Sequence, residues 1–359
     1  MAVPAALVSH IGSFGRNFWA SGPARGGVIH SAAMPGALPP QTPEPAPPKV
    51  NRRIWVDGEL VPWEQATVHL LSHSLQRGSL IFDYMSVHAT PRGPALFRLR
   101  DHVDRFLRSA ELVGLPLAHD AKSIADAIVV TVRANPGATS VKVSAYLPSI
   151  EVDVVPLDEH VSLAVAAYNP ATDIIAHKAV KPSYSPALKL WIEKDRRNRR
   201  QDIVPPQAKV AANYTSSMFA KWAARRAGYD EILLVDQDGF VAEGPTTNVF
   251  WVDAAGVVRT PPEEKVLLGV TRRSILEIAK HDGLPVAESK VRPEQLMQAH
   301  EVFLTGTTAG VWPVASVDDH PIGDGKPGPV STRLRARFQA VVSGAEPAFA
   351  HWLHVVGPG

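Results

Sequence analysis

Proline sets the first limit on how this chain can fold. Pro35, Pro39, Pro40, Pro43, Pro45, Pro47 and Pro48 crowd the end of the first fifty residues. Each ring fixes φ and removes a backbone donor, so neither a helix interior nor a central strand can run through them. Glycine and alanine fill much of the remainder, and Glu44 is the one acid. A segment with so little to bury is expected to be a disordered extension over 1–50. Its shortage of acid, with Arg16 and Arg25, is shared with organelle transit peptides, but arginine is sparse and no amphipathic helix emerges. A cytoplasmic protein with a loose extension is the expectation, and organelle targeting by that extension is the alternative left open.

From residue 51 the pattern is that of a folded chain. Short apolar runs flank Asp57-Gly58, the strongest short hairpin signal. Strands are expected over 82–89, 95–99, 140–146 and 161–167. Between them, Asp101 can cap a helix over 101–112 with Val103, Phe106 and Leu107 on its apolar stripe, and a second helix covers 121–132. These elements make a small α+β domain over 51–181. A proline- and charge-rich passage over 182–206 reads as an interdomain connection. The rest, 207–359, reads as a larger α+β domain: helices over 214–227, 271–281 and 329–342, with strands over 231–235, 240–242, 248–252 and 302–305. Strands and helices mix in both halves without strict alternation, which argues for two α+β domains.

Composition removes several function classes. The formal net charge is +2, too balanced for a general polyanion partner, so no nucleic-acid binding is expected. The densest basic run, Lys194-Asp195-Arg196-Arg197-Asn198-Arg199-Arg200, reads as a solvated loop. No cysteine is present, which excludes disulfides, thiolate metal sites and cysteine nucleophiles. His69 and His73 stand four apart without a His-Glu-x-x-His pattern, so no metal is expected. No apolar run is long enough to span a bilayer.

The chemistry concentrates between Gln207 and Phe250. Lys209 stands among small residues just ahead of a helix. Such a lysine is usually solvated, but in dry surroundings its free amine suits imine chemistry. Glu243 ends a strand before a tight turn; it is either an exposed strand-end carboxylate or an acid aimed at a ring nitrogen. Two turns suit phosphate. Leu267-Leu268-Gly269-Val270-Thr271-Arg272 runs into a helix N-terminus, and Thr305-Gly306-Thr307-Thr308-Ala309-Gly310 offers hydroxyls and backbone N–H groups after a strand.

In combination and at this spacing, these motifs resemble the fold-type IV (class IV) aminotransferases. That family includes branched-chain and D-amino-acid aminotransferases, (R)-amine transaminases and aminodeoxychorismate lyase. The resemblance covers roughly 53–352 and is strongest to the branched-chain group, through Lys209 to Tyr214, Gly228-Tyr229-Asp230-Glu231, Val241-Ala242-Glu243-Gly244 and Gly269-Val270-Thr271-Arg272. It implies a two-domain α+β enzyme with pyridoxal 5′-phosphate (PLP) bound to the larger domain. It also implies a homodimer in which the small domain of one subunit closes its neighbour's site. In that family pattern Lys209 holds the cofactor as a Schiff base and moves the substrate proton. Tyr214 bonds the cofactor phenolate, Glu243 the pyridine nitrogen, and Leu267 packs on the ring. Arg105 clamps the phosphate with Val270, Thr271 and Thr307.

The substrate pocket departs from the branched-chain pattern. Where that group has His-Tyr-Gly-Thr and Phe-Glu-Gly-Ile-Arg, this chain has Leu75-Gln76-Arg77-Gly78-Ser79 and Phe82-Asp83-Tyr84-Met85-Ser86. The usual Tyr-x-Arg becomes Lys142-Val143-Ser144. The expected pocket comprises Arg77, Phe82, Tyr84, Lys142, Thr308 and Ala309, with Arg77 rather than Lys142 meeting the acceptor carboxylate. The first expectation is an aminotransferase moving an amino group from a branched-chain-like or other hydrophobic amino acid to a 2-oxo acid. A D-amino-acid or (R)-amine transaminase is the second, an aminodeoxychorismate-type lyase the third, and a non-catalytic scaffold on this fold the fourth.

Overall fold

Asp57 and Gly58 both take positive φ, 47° and 104°, the twist that lets two residues turn a hairpin. The turn joins β1 (Arg53–Val56) to β2 (Glu59–Pro62). A computed structural model describes residues 50–178 and 185–357. The proline-rich extension up to residue 49, and part of the expected connection, lie outside the described residues.

After the short α1 (His73–Arg77), β3 (Ile81–Thr90) and β4 (Gly93–Phe97) form a second hairpin. Helices α2 (Leu99–Val113) and α3 (Ala121–Ala134) follow, then β5 (Ser140–Tyr146) and β6 (Ser162–Tyr168). Helix α2 starts two residues before the expected position, after Arg98 at φ 49°, so Asp101 lies in its first turn and is not its cap. β3 alternates strictly. Ile81, Asp83, Met85 and Val87 are buried, while Phe82, Tyr84, Ser86 and His88 are half-buried on the other face. The inner face joins a core with Val103 and Phe106 of α2 and Ile124 and Ile128 of α3.

The largest departure from the sequence expectation is β7 (Leu188–Arg197), a strand inside the supposed connection. It is followed by α4 (Thr215–Arg226), β8 (Glu231–Val235), β9 (Val241–Glu243), β10 (Asn248–Val252) and β11 (Val258–Thr260). Then come α5 (Val270–His281), β12 (Val286–Glu288), α6 (Pro293–Leu296), β13 (Glu301–Gly306), β14 (Gly310–Val317), β15 (His320–Pro321) and α7 (Pro329–Val342). β7 lies between β14 and β8 and is parallel to both. Parallel neighbours need a crossover, and the link from β7 to β8 through α4 carries Lys209 and Tyr214. The sheet then closes on itself, because β9 pairs with β8 and also with β10 at Glu243↔Asn248. Phe250 and Phe303, stacked at 5.1 Å, pack outward on α5 and α7. Trp251, Val302 and Leu304 turn to the opposite face, against Leu190 and Leu233. The final strand, β16 (Leu353–Val355), returns to the first sheet beside β4.

Helix α7 shows how a buried acid orders this half of the molecule. The Glu301 carboxylate, 6% exposed, accepts the N–H groups of Val330 and Ser331 at 2.8 Å each. Those are first-turn donors with no partner inside the helix, and the carboxylate also meets the positive end of the helix dipole. Glu301→Ala is expected to cost about 1–3 kcal/mol, seen as a lower urea midpoint at unchanged slope. An unchanged midpoint would mean that water serves those donors equally well.

Candidate active site

The crossover after β7 holds Lys209 by its backbone. Its N–H donates to Ser109 Oγ on α2 at 3.0 Å, and its carbonyl accepts from Phe82 N–H at 3.0 Å. With both backbone groups fixed, the side chain projects into a cavity of about 960 Å³. There Nζ donates to Tyr214 Oη at 3.0 Å and lies 4.9 Å from the centroid of the Phe82 ring. Tyr214 ends the 3-10 turn Ala211–Tyr214 ahead of α4 and packs on Phe82, with ring centroids 5.2 Å apart.

Glu243 sits where the second sheet closes. It is 2% exposed and accepts from Arg199 Nη1 at 3.2 Å and from Leu267 N–H at 3.1 Å. Burial pushes its carboxyl above the ordinary range, against the opposing pull of Arg199 and the Leu267 N–H. Asn248 donates to the Leu267 carbonyl at 2.9 Å, fixing the loop that leads into α5. At Gly269 any Cβ would meet Asn248 Oδ1 at 2.0 Å, so only glycine lets this loop approach. Gly269 is the N-cap of α5 and no side chain caps the helix. The first-turn N–H groups around Val270 and Thr271 therefore remain for an anion.

Arg105 does not form the ion pairs with Asp101 or Asp104 that its own helix offers. Its guanidinium grips Asp83 of β3 with two bonds, Nε to Oδ2 at 2.7 Å and Nη2 to Oδ1 at 2.8 Å, and Nη1 donates to the Leu268 carbonyl at 3.2 Å. His102 Nδ1 meets Asp83 Oδ1 at 2.7 Å. Burial alone would raise the Asp83 carboxyl; Arg105, then His102, outweigh it and hold Asp83 well below the usual carboxylate range. Burial lowers the pKa of His102 against the pull of Asp83, and because the Asp83 carboxylate can only accept, Nδ1 carries the donated proton.

The cavity gathers Lys209, Tyr214, Glu243, Leu267, Arg105, Val270, Thr271 and Thr307, and with them Phe82, Tyr84, Lys142, Thr308 and Ala309. Arg77 is the exception. It ends α1, is exposed and donates to the Val152 carbonyl at 3.1 Å. It does not line the cavity in this chain, because the 150–157 segment folds back along α1 and draws the guanidinium away. Arg199, expected in a solvated basic run, is a site residue that the sequence did not reveal. Its side chain is 6% exposed, bonded to Glu243, and lies 4.9 Å from the centroid of the Tyr214 ring. Asp83 and His102, which hold Arg105 without lining the cavity, are two supporting residues that the sequence also did not reveal. The signal for Asp83 was a charged residue at an inward position of an alternating strand, inside the stretch Phe82-Asp83-Tyr84-Met85-Ser86.

These residues fit PLP: an amine to bind it, an acid for a ring nitrogen, and a guanidinium beside a helix N-terminus for a phosphate. Thr247 Oγ1, beside the cavity, is buried without a hydrogen-bond partner among the described residues. Comparison with known proteins agrees with this chemistry. Residues 80–317, well over half the chain, match the class IV amino-transferase family. The branched-chain-amino-acid aminotransferase of Salmonella typhimurium is 31% identical over 306 residues, covering 84% of this chain and 97% of that protein. The Pseudomonas aeruginosa enzyme of the same name is 32% identical over 304 residues, with the same coverage. The crystal structure of the branched-chain amino acid aminotransferase from Thermobaculum terrenum in its PLP-bound holo-form superposes with a TM-score of 0.76 at 29% identity, covering 86% of this chain and 99% of that one. With its cavity and its sequence in agreement, the chain belongs to the class IV aminotransferases.

Proposed function

We propose that this protein transfers the amino group of a hydrophobic, branched-chain-like amino acid to a 2-oxo acid, using PLP bound through Lys209. The observation that carries this reading is the convergence of Lys209, Glu243 and Arg105 on one cavity. Bound PLP supplies the electron sink that makes a substrate Cα–H acidic. Lys209 provides the attaching amine and then the base that takes and returns the Cα proton. Tyr214, already bonded to Lys209 Nζ, orients that amine. Glu243 would hold a proton at the pyridine nitrogen, and Arg199, bonded to its carboxylate, keeps that group aimed. Arg105 and the first turn of α5 take the phosphate, with Asp83 fixing the guanidinium so that little side-chain entropy is lost on binding. Phe82 and Tyr84 give the substrate an apolar wall.

The working form is a homodimer. Leu70, Leu75, Ile150, Val152 and Leu157 are all more than half exposed, Val152 and Leu157 above 90%. They form one surface, because Ser72 bridges to Ile150 and His73 Nε2 bonds the Val154 carbonyl. An apolar surface of this kind on a lone subunit marks a contact, and a second copy is its occupant. Arg77 lies on this same surface.

Three measurements test these roles. Lys209→Ala should lose at least the factor of about 10²–10⁴ that general-base removal costs, together with the absorbance of the lysine-bound cofactor. Near-normal turnover in the purified variant would falsify the assignment. Asp83→Asn should weaken PLP binding about 10-fold or more, since a freed arginine must give up about 2 kcal/mol of rotamer entropy to reach the phosphate. Binding of pyridoxal, which has no phosphate, should be unchanged; equal loss of both would make Asp83 a support of the fold only. Light scattering should give twice the chain mass, and an active monomer would remove the dimer.

A further inference from the structure

The positive charges lining the cavity are unequal in one respect. Most are already engaged: Arg105 with Asp83, Arg199 with Glu243, Lys221 with Glu231, and Lys209 with the Tyr214 hydroxyl. Lys142 is different. It lines the same cavity, yet among the described residues its ammonium meets no carboxylate and no hydrogen-bond acceptor; its contact is the face of Phe82, 4.7 Å from the ring centroid. Lys209 Nζ lies 4.9 Å from the same centroid, so the two ammonium groups share one ring. The placement follows from the sheet. Lys142 pairs with Tyr84 across β5 and β3, and Phe82 is the next residue on that face, diagonal to Lys142. Arg225 also lines the cavity, without an acidic partner among the described residues, but it comes from α4 and has no contact with the Phe82 ring.

Within the transaminase function proposed above, we infer that Lys142 binds the α-carboxylate of the amino-acid and 2-oxo-acid substrates. The reacting nitrogen of an amino acid takes the place of Lys209 Nζ, and covalent geometry keeps its carboxylate carbon about 2.5 Å from that nitrogen. An α-carboxylate therefore stays close to that nitrogen whatever the side chain, and the Lys209 and Lys142 ammonium groups lie 4.9 and 4.7 Å from the one Phe82 centroid. A distal carboxylate has no such constraint. Burial, and then the neighbouring charge of Lys209, lower the pKa of Lys142. An arriving carboxylate pairs with this partly desolvated ammonium, which favours binding of the anion over a neutral group. Lysine acts here as a point charge on a flexible stem and sets no bidentate geometry, so it selects for the charge of the substrate and only weakly for its orientation.

The test compares leucine, both enantiomers, with leucinamide, which keeps the amine and shape but lacks the carboxylate charge. The first half-reaction is followed by the absorbance of the bound cofactor. Lys142→Met should raise the KM for leucine about 10- to 100-fold, as for loss of a bond to a charged group, with kcat within a few-fold, and leave leucinamide unchanged. Lys142→Arg should restore most of the loss. Calorimetric titration of the holoenzyme with 4-methylvalerate, an unreactive carboxylate, should show the same weakening, about 10- to 100-fold, without any turnover. Equal loss for leucine and leucinamide overturns the inference, as does a KM change for 2-oxoglutarate without one for pyruvate, which would place Lys142 at a distal carboxylate. Failure of the wild-type protein to react with any amino acid overturns the transaminase reading itself, a result distinct from either. Lys142 stands on the cavity wall and not in the hydrophobic core, so its replacement leaves the core intact, and an unchanged cofactor spectrum verifies this for each variant.

Discussion

A single carboxylate with no solvent exposure, Asp83, fixes the geometry on which the cavity depends. Taking such a charge out of water costs several kcal/mol unless it is fully paired. Here two bonds from Arg105, one from His102 and the N–H of Tyr84 meet it. The consequence reaches beyond the ion pair. Side chains alternate along a strand, so holding Asp83 against α2 forces Phe82 and Tyr84 to the opposite face, into the cavity. A slip of one residue would turn the carboxylate away from its partners and take Phe82 and Tyr84 out of the cavity wall. The same interaction therefore sets the register of β3 and the position of Arg105.

The remaining parts of the site come from the places where the second sheet is joined. Inserting β7 between two parallel neighbours requires a long crossover, and that crossover brings Lys209 up to Phe82 and Ser109. Closing the sheet at Glu243↔Asn248 buries the acid and places Asn248 where it holds the Leu267–Gly269 loop. The helix N-terminus that follows is left uncapped as a result of that close approach. Joints of this kind are tightly constrained by backbone hydrogen bonding, so they hold functional groups with little freedom.

Charge in the cavity is distributed by pairing more than by number. Arg105 and Arg199 each answer a buried acid, and in each case the pair sets the direction of the side chain. Lys142 rests against the face of Phe82 and has no acidic partner among the described residues. The exposed surface around Leu70 and Leu157 is the apolar counterpart, since its side chains find no cover among the described residues.

Much of this was legible in the sequence where the signal was local. The turn at Asp57-Gly58, the strands Ser140–Tyr146 and Asn248–Val252 and the helix Pro329–Val342 follow from adjacent residues and the periodicity of burial, and the structure has them. Lys209 and Glu243 were legible because they stand in compact motifs. β7 was not, because its second half, Glu193 to Arg197, is charged and its apolar half is short. Only pairing with β14 and β8, distant in the chain, makes it a strand. β16 likewise owes its place to β4, far upstream. Within one basic run, Arg196 and Arg200 stay in water while Arg199 turns to Glu243, and nothing in their shared composition separates them. Sequence determines local conformation and the inventory of chemical groups. Which charge is buried, and against which partner, is decided by long-range packing, since only there can the cost of desolvation be met.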